Sequence, residues 1–173
     1  MLRLFRSGKA VNMTTQWTDT CVLEGRKWGI ESWDGNRAAI PSNEELGINT
    51  VAQSSANWSG RIDHFVVHLE KLYLLKIEVS LDPKVHFIQP ERAMREVVVR
   101  YENMWGGVNG TTRIVREHRF EYLIFHDLFI PYTGDLFLSS PVIDLWEQPY
   151  SEDECEDERE ERRLVLRGGT LID

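Results

Sequence analysis

Residues 57–79, NWSGRIDHFVVHLEKLYLLKIEV, carry the pattern that decides the fold. On a strand, Asp63 and Phe65 would share one face, and His64 and Val66 would share the other. After a short interruption the alternation resumes and continues to the end of the stretch. Period-two alternation rich in β-branched and aromatic residues is typical of strands, so the stretch predicts a hairpin. Apolar residues occur on both faces, which favours a central position in the sheet over an edge.

The length and composition indicate one folded domain. The chain has 173 residues, of which 42% are hydrophobic, and this is enough for a single packed core. Six tryptophans are many for this length, and such residues build cores as well as binding sites. We expect residues 1–18 to form a loosely ordered leader, with Met13 as an alternative natural start. Residues 19–173 then form the single β-rich domain.

The negative charge is concentrated near the end of the chain. The net charge is −8, and residues 151–163 contribute −5 of it through eight acids and three arginines. The acidic run is predicted to be a solvated loop, because like charges repel. A nucleic-acid surface needs a basic stripe, so no nucleic-acid partner is expected. Mimicry of a nucleic acid by the acidic run is a third and weaker hypothesis about function.

Cysteine usage and hydropathy predict the compartment. Cys21 and Cys155 lie far apart in the sequence, and isolated thiols suit a reducing cytoplasm. The sequence contains no run of about 18 apolar residues, so no transmembrane helix is expected. The first residues lack the apolar stretch of a signal peptide. We therefore expect a cytoplasmic protein without a membrane partner.

Further strands are predicted on both sides of the central hairpin. Residues 34–56 are polar and predict a long surface connection with a short helical turn at 42–46. Residues 119–138 alternate and contain the turn Thr133-Gly134, so they predict a second hairpin packed like the first. The other predicted elements are a hairpin at 21–30, strands at 84–88 and 142–146, and a terminal hairpin at 164–172.

Residues 91–104 fit two secondary structures. Pro90 and Glu91 suit a helix start, and an apolar stripe with four-residue charge pairs follows them. The β-branched run at 97–99 and the glycines at 106–110 fit a hairpin instead. The stripe and the charge pairs favour the helix.

Residues 57–61, Asn-Trp-Ser-Gly-Arg, form the cluster most typical of a binding site. They place Asn57, Trp58 and Arg61 at the entrance to the central hairpin. An arginine beside an aromatic ring can bind a carboxylate or phosphate, or stack on a ring. The structural alternative, which is favoured, is that Trp58 closes one end of the core and Gly60 permits a bend.

Histidines are the remaining candidate site residues. His64 and His68 would share a face but lie roughly 13 Å apart along a strand, too far to bind one metal together. His126 could approach one of them across the sheet. Asp63, His64, His126 and Asp127 are acid or base groups within apolar strands, a setting found in catalytic sites and in structural ion pairs. We expect no metal and no cofactor, and no catalytic residue is assigned.

Three short strings resemble a family of small uncharacterised bacterial proteins that share a domain of unknown function. They are Asn-Trp-Ser-Gly-Arg at 57–61, Lys-Leu-Tyr-Leu at 71–74, and Tyr-Thr-Gly-Asp-Leu-Phe-Leu at 132–138. The resemblance covers residues 19–172 in outline and implies a compact β-rich cytoplasmic domain. It implies no catalytic residue. The chain departs from the family's pattern at residues 34–56 and 90–118.

The sequence as a whole predicts a mainly β protein. We expect one strongly curved antiparallel sheet, a sandwich or a small barrel, with at most one substantial helix at about 91–104. The expected function is that of a non-enzymatic binding or accessory protein whose partner is another protein, for instance a bacterial effector that it neutralises. The alternative is a small-molecule-binding or hydrolytic β-barrel that uses Trp58, Arg61 and either His64 or His126. The oligomeric state is left open.

Overall fold

Alternating apolar residues fold the chain into β-structure. The computed structural model describes residues 18–52, 59–81, 90, 93–106, 112–140 and 160–172. Within these ranges lie a short 3₁₀ helix, Arg37–Ala39, and nine strands. The strands are β1 Thr20–Leu23, β2 Arg26–Gly35, β3 Arg61–His68, β4 Lys71–Val79, β5 Ala93–Gly106, β6 Thr112–Phe129, β7 Gly134–Ser140, β8 Glu160–Arg167 and β9 Thr170–Leu171.

Seven of the strands close into a barrel. Their order is β3-β1-β2-β7-β8-β9-β4, and β4 pairs with β3 to complete the circle. The β1–β3 pair is parallel, whereas the other pairs are antiparallel. The prediction of a mainly antiparallel β fold, with a small barrel among its forms, is confirmed. No described helix is long and apolar enough to cross a membrane.

Two-residue turns with positive φ set the local hairpins. The β3–β4 turn uses Leu69 and Glu70, with φ of 48° and 61°, and the β1–β2 turn uses Glu24 and Gly25. A turn whose two central residues both lie in the left-handed region is a type I′ turn, and its twist matches that of the flanking strands. The predicted hairpins at 21–30, 57–79 and 164–172 are confirmed within the described residues. The central position of β3 and β4 is also confirmed, because each has neighbours on both edges.

One face of each barrel strand fills the interior. Phe65, Leu72 and Leu74 have no exposed surface, and they pack with buried residues from the other strands. At one end, which we call the base, Trp28 is buried beneath two arginines. The guanidinium carbons of Arg26 and Arg162 lie 4.7 and 5.2 Å from its ring centroid. The opposite end, where β3 begins, we call the mouth.

Strands β5 and β6 extend the sheet beyond the barrel. On one edge of β4, Lys71 pairs with β9, whereas Tyr73–Val79 pair with β6. Strand β6 pairs in turn with β5 from Ala93 to Gly106. The β4–β6 pairing stops at Glu121, but the β5–β6 pairing continues from there to Thr112. We call this projecting part, residues 97–106 and 112–120, the arm.

The helix predicted at about 91–104 is wrong, because residues 93–106 form strand β5. The charge pairs that supported the helix are worth only about 0.2–0.5 kcal/mol each. Fourteen successive residues of β5 instead face partners on β6. The β-branched run at 97–99 suits that pleated ribbon, since β-branched residues pack well in strands.

Two other expectations need correction. The second hairpin, at 119–138, does not form, because β7 pairs with β2 and β8 instead of β6. The acidic run is not a loop throughout, since β8 begins at Glu160 within it. Residues 1–17 of the leader predicted at 1–18, the predicted strands at 84–88 and 142–146, and the acidic residues 151–159 lie outside the described part of the chain.

The burial difference between two leucines of the central hairpin gives a direct test of the barrel. Leu72 is fully buried, whereas Leu69 is 80% exposed in the turn. Leu72→Ala should lower the free energy of unfolding by about 2–5 kcal/mol, because it leaves a cavity in the core. Leu69→Ala should change it by less than about 0.5 kcal/mol. Urea denaturation measures both, and equal losses would contradict the placement of β4.

Candidate functional site

The connection between β2 and β3 covers the mouth of the barrel. Ile40 and Ile48 are buried and join the hydrophobic core, which anchors this polar segment. Its helical turn, predicted at 42–46, is present, since the Leu46 amide donates to the Ser42 carbonyl over 3.1 Å. The Ser42 amide donates to Glu45 Oε2 over 2.7 Å, and this hydrogen bond lowers the pKa of the exposed Glu45. The described part of the connection, residues 36–52 and 59–60, is therefore anchored to the barrel by core contacts and hydrogen bonds.

Arg61 and Asp63 form a buried ion pair just inside the mouth. They lie two residues apart on β3, so both point to the same face. Arg61 Nε donates to Asp63 Oδ1 over 2.7 Å, and Nη2 donates to Oδ2 over 3.1 Å. The side chains are only 11% and 4% exposed. Such a two-bond contact fixes both groups, because the planar guanidinium matches the carboxylate.

Residues from three other segments complete this ion pair. The Asp63 amide donates to Asp19 Oδ1 over 2.9 Å, and Arg37 Nη2 donates to Asp19 Oδ2 over 3.0 Å. Arg61 Nη1 also donates to Asn43 Oδ1 over 3.0 Å. Asp19, Arg37, Arg61 and Asp63 together carry no net charge. We call these four residues the mouth cluster.

Aromatic rings hold the mouth cluster against the core. The guanidinium carbon of Arg37 lies 5.0 Å from the ring centroid of Trp33. Trp33 in turn makes edge-to-face contacts with Phe65 and Tyr132, with centroids 5.1 and 5.0 Å apart. Aromatic pairs of this geometry add stability beyond the area that they bury. The polar cluster therefore packs against a set of aromatic rings that contact one another.

A cleft of about 320 Å³ opens beside the mouth cluster. Its walls are polar as well as apolar, since they come from the cluster and from the connection above it. The lining residues are Asp19, Arg37, Ile40, Pro41, Ser42, Ser59, Arg61 and Asp63. A space of this size admits a small polar molecule.

Burial raises the pKa of the Asp63 carboxyl from its ordinary value of 3.8. Loss of hydration is the largest cause, and the hydrogen bonds from Arg61 oppose it. The carboxylate of Asp19 raises the pKa further, and Arg37 lowers it. Asp63 therefore favours its protonated form in the folded protein more than in the unfolded chain.

The structure separates the site residues that the sequence grouped together. Arg61 lines the cleft, whereas Asn57 and Trp58 lie outside the described residues. His64 points to the other face of β3, where its Nδ1 lies 2.8 Å from Thr20 Oγ1. His126 is exposed on β6. Of the described candidates, Arg61 and Asp63 therefore line the cleft, and His64 and His126 do not.

The described ranges of the chain contain neither a group of three potential metal ligands nor a reactive thiol. Within them, no group of three or more histidines, cysteines or acids could hold a metal ion. Cys21 is a free thiol that is fully buried, and burial raises its pKa to about 12. A thiol of this kind stays protonated at neutral pH and is a poor nucleophile.

Sequence reasoning missed Asp19, Arg37 and Asn43, because contacts distant in sequence bring them together: the β1–β3 pairing brings in Asp19, and the folded connection brings in Arg37 and Asn43. Part of the cluster was readable, however. An arginine and an acid two positions apart on a strand share a face, and on an inward face they must pair to be buried. The spacing of Arg61 and Asp63 carried that signal.

A second candidate surface lies on the arm. Residues directly opposite in an antiparallel pair share a face, so Val97, Val99 and Tyr101 of β5 lie beside Glu121, Arg119 and Glu117 of β6. Val115 continues the same face towards the tip. The exposed fractions of the four apolar side chains are 40%, 40%, 64% and 54%. We call Val97, Val99, Tyr101 and Val115 the arm stripe.

Comparison with known proteins does not indicate a role for the mouth cluster or for the arm stripe. No protein-family model, no curated protein and no solved structure matches the chain. Any function must therefore be argued from the mouth cluster and the arm stripe themselves.

The mouth cluster makes a prediction about two arginines. Arg61→Ala should lower the free energy of unfolding by about 3–5 kcal/mol, because it leaves the buried Asp63 without its main partner. Arg37→Ala is the matched control. Its pair with Asp19 is half-exposed on the arginine side, so the loss should be at most about 1 kcal/mol. Urea denaturation at neutral pH measures both, and similar losses would contradict the structural role of the buried pair.

The pH dependence has a defined sign. Because folding raises the pKa of Asp63, protonated Asp63 contributes stability below pH 3.8, and this contribution is lost as pH rises through the raised pKa. Carbon NMR of the Asp63 carboxyl should therefore show titration above 3.8 in the folded protein. Titration at or below that value would show that the hydrogen bonds from Arg61 outweigh burial.

Proposed function

We propose that this protein is a non-enzymatic binding protein that acts by contact with another protein through the arm stripe. The observation that supports the proposal is the exposure of Val97, Val99, Tyr101 and Val115 on one face of the β5–β6 pair, beyond its contact with β4. Apolar side chains gathered on an exposed face favour association, because a partner removes them from water. Tyrosine at such a position suits the centre of an interface.

The expected partner is a protein with an apolar patch that fits the stripe and with an overall excess of positive charge, which matches the charge of the chain as a whole. The chain carries a net charge of −8, which attracts a basic protein and speeds its approach. Glu117, Arg119 and Glu121 of β6 lie beside the stripe, and Glu121 is already paired with Arg95 and Arg119. The exposed Glu117 can pair with a charge around the partner's patch, and the stripe then covers the patch.

The test of this proposal uses Val115, which lies in the stripe but not on the outermost strand. Tagged full-length protein is used to capture a basic protein from source cells, and the captured protein is then purified. Calorimetry should show that Val115→Asp weakens its binding about tenfold or more, because a charge enters the apolar contact.

Leu69→Asp is the control, since Leu69 is 80% exposed but lies in the β3–β4 turn. This variant should bind like the wild type. Capture of no protein, or equal affinity of the Val115→Asp variant and the wild type, would overturn the proposal. Loss of binding in both variants would also overturn it, because the effect would then not depend on the arm.

Binding of a small polar molecule is a second candidate function, supported by the cleft beside the mouth cluster. The cleft offers the half-exposed Arg37 and the carboxylate of Asp19 at its rim. Of the residues that the sequence suggested for this role, Arg61 lines the cleft. The two candidates differ in their sites, since Arg37→Ala would weaken only the small-molecule function and Val115→Asp only the protein contact.

A further inference from the structure

The outer edge of β5 is a second unusual feature of the arm. Strand β5 is 14 residues long and stands last in the strand order of the sheet. Among the described strands, only β6 pairs with it. A long strand edge presents a row of backbone donors and acceptors that can pair with another strand.

We propose that this edge pairs with β5 of a second copy of the chain, antiparallel and centred on Val98. The inference rests on the proposed function, because it joins two arm stripes into one surface. In such a symmetric pair the two sheets are continuous, so directly opposite residues must come from the same face of β5. The twofold axis must therefore lie where one residue faces its own copy in the second chain. It cannot lie where two residues adjacent in sequence face each other.

The register centred on Val98 matches the exposed apolar residues. It places Val97 opposite Val99 of the second copy, and Val99 opposite Val97. It also places Arg95 opposite Tyr101, where a guanidinium can lie against a ring. These residues share the face of the arm stripe. The two stripes then meet at the centre of a four-stranded ribbon, with the charged residues of each β6 outside them.

The same register matches charges on the other face of β5. Glu96 lies opposite position 100 of the second copy, which is an arginine in the sequence, and symmetry repeats this pair. An axis through Glu96 would instead place Glu96 opposite its own copy and bring two like charges together. Opposite-charge pairs across strands stabilise a sheet, and like charges destabilise it. Charge therefore favours the axis through Val98 over an axis through Glu96.

The first experiment is sedimentation equilibrium of the full chain with charge-reversal variants. The wild type should form a dimer. Glu96→Arg alone and Arg100→Glu alone should each raise the dimer dissociation constant about tenfold, because each variant creates two repulsive pairs. The double variant E96R/R100E should bring the constant back to within about threefold of the wild type. A monomeric wild type, or no recovery in the double variant, would overturn the proposal.

The second experiment tests the axis directly by cross-linking. In a Cys155→Ser background, Val98→Cys places two thiols across the symmetry axis, where a short bismaleimide should join them. Val115→Cys, with a side chain 54% exposed on β6, is the matched control and should cross-link poorly. The buried Cys21 should not react. Equal cross-linking at positions 98 and 115 would overturn the register even if a dimer exists.

The two proposals can fail separately. Val115→Asp changes the arm stripe away from the β5 edge, so it should leave the dimer dissociation constant unchanged. A dimer with the predicted register and no basic partner would uphold this inference and remove the proposed function. A basic partner that binds a monomeric chain equally well would uphold the proposed function and overturn this inference.

Discussion

One edge of strand β4 pairs with both β9 and β6, and the rest of the architecture depends on how that edge is divided between them. Lys71 pairs with Thr170 of β9, which closes the barrel, and Tyr73–Val79 then pair with β6. Each backbone group on an edge can serve one neighbour at a time, so β6 excludes β9 beyond the first residue. A register shift between Leu74 and Lys76 accompanies the exchange. Because β6 is much longer than its contact with β4, the remainder projects as the arm.

The parallel pairing of β1 with β3 explains why the mouth is polar. Parallel neighbours cannot be joined by a tight turn. Strand β2 therefore first returns the chain from the base to the mouth, where β3 begins. The connection that returns over the mouth brings Arg37 and Asn43 to the start of β3. Asp63 then has hydrogen-bond partners where a buried carboxylate would otherwise be costly. Closure of the sheet thus creates the mouth cluster and the arm together.

The sequence predicted the parts of the fold that local chemistry decides. The β3–β4 hairpin follows from alternation and a two-residue turn. The error at residues 91–104 arose because an apolar stripe and short-range charge pairs are local signals, whereas the partner of β5 begins beyond residue 106. The choice of β7 to pair with β2 is likewise long-range. Of the mouth cluster, only the Arg61–Asp63 spacing was local enough to read.

Hydrogen exchange of the backbone amides in dilute solution tests the central claim that the arm lies outside the barrel, with an outer edge that none of the described strands covers. NMR should show the slowest exchange in β3 and β4, which have neighbours on both edges. In β5, every second amide from Val97 to Tyr101 should exchange slowly because it faces β6, and the amides between should exchange fast. Uniform protection along β5 in the dilute monomer would contradict the open edge. Exchange in β4 as fast as in the arm would contradict the closed barrel.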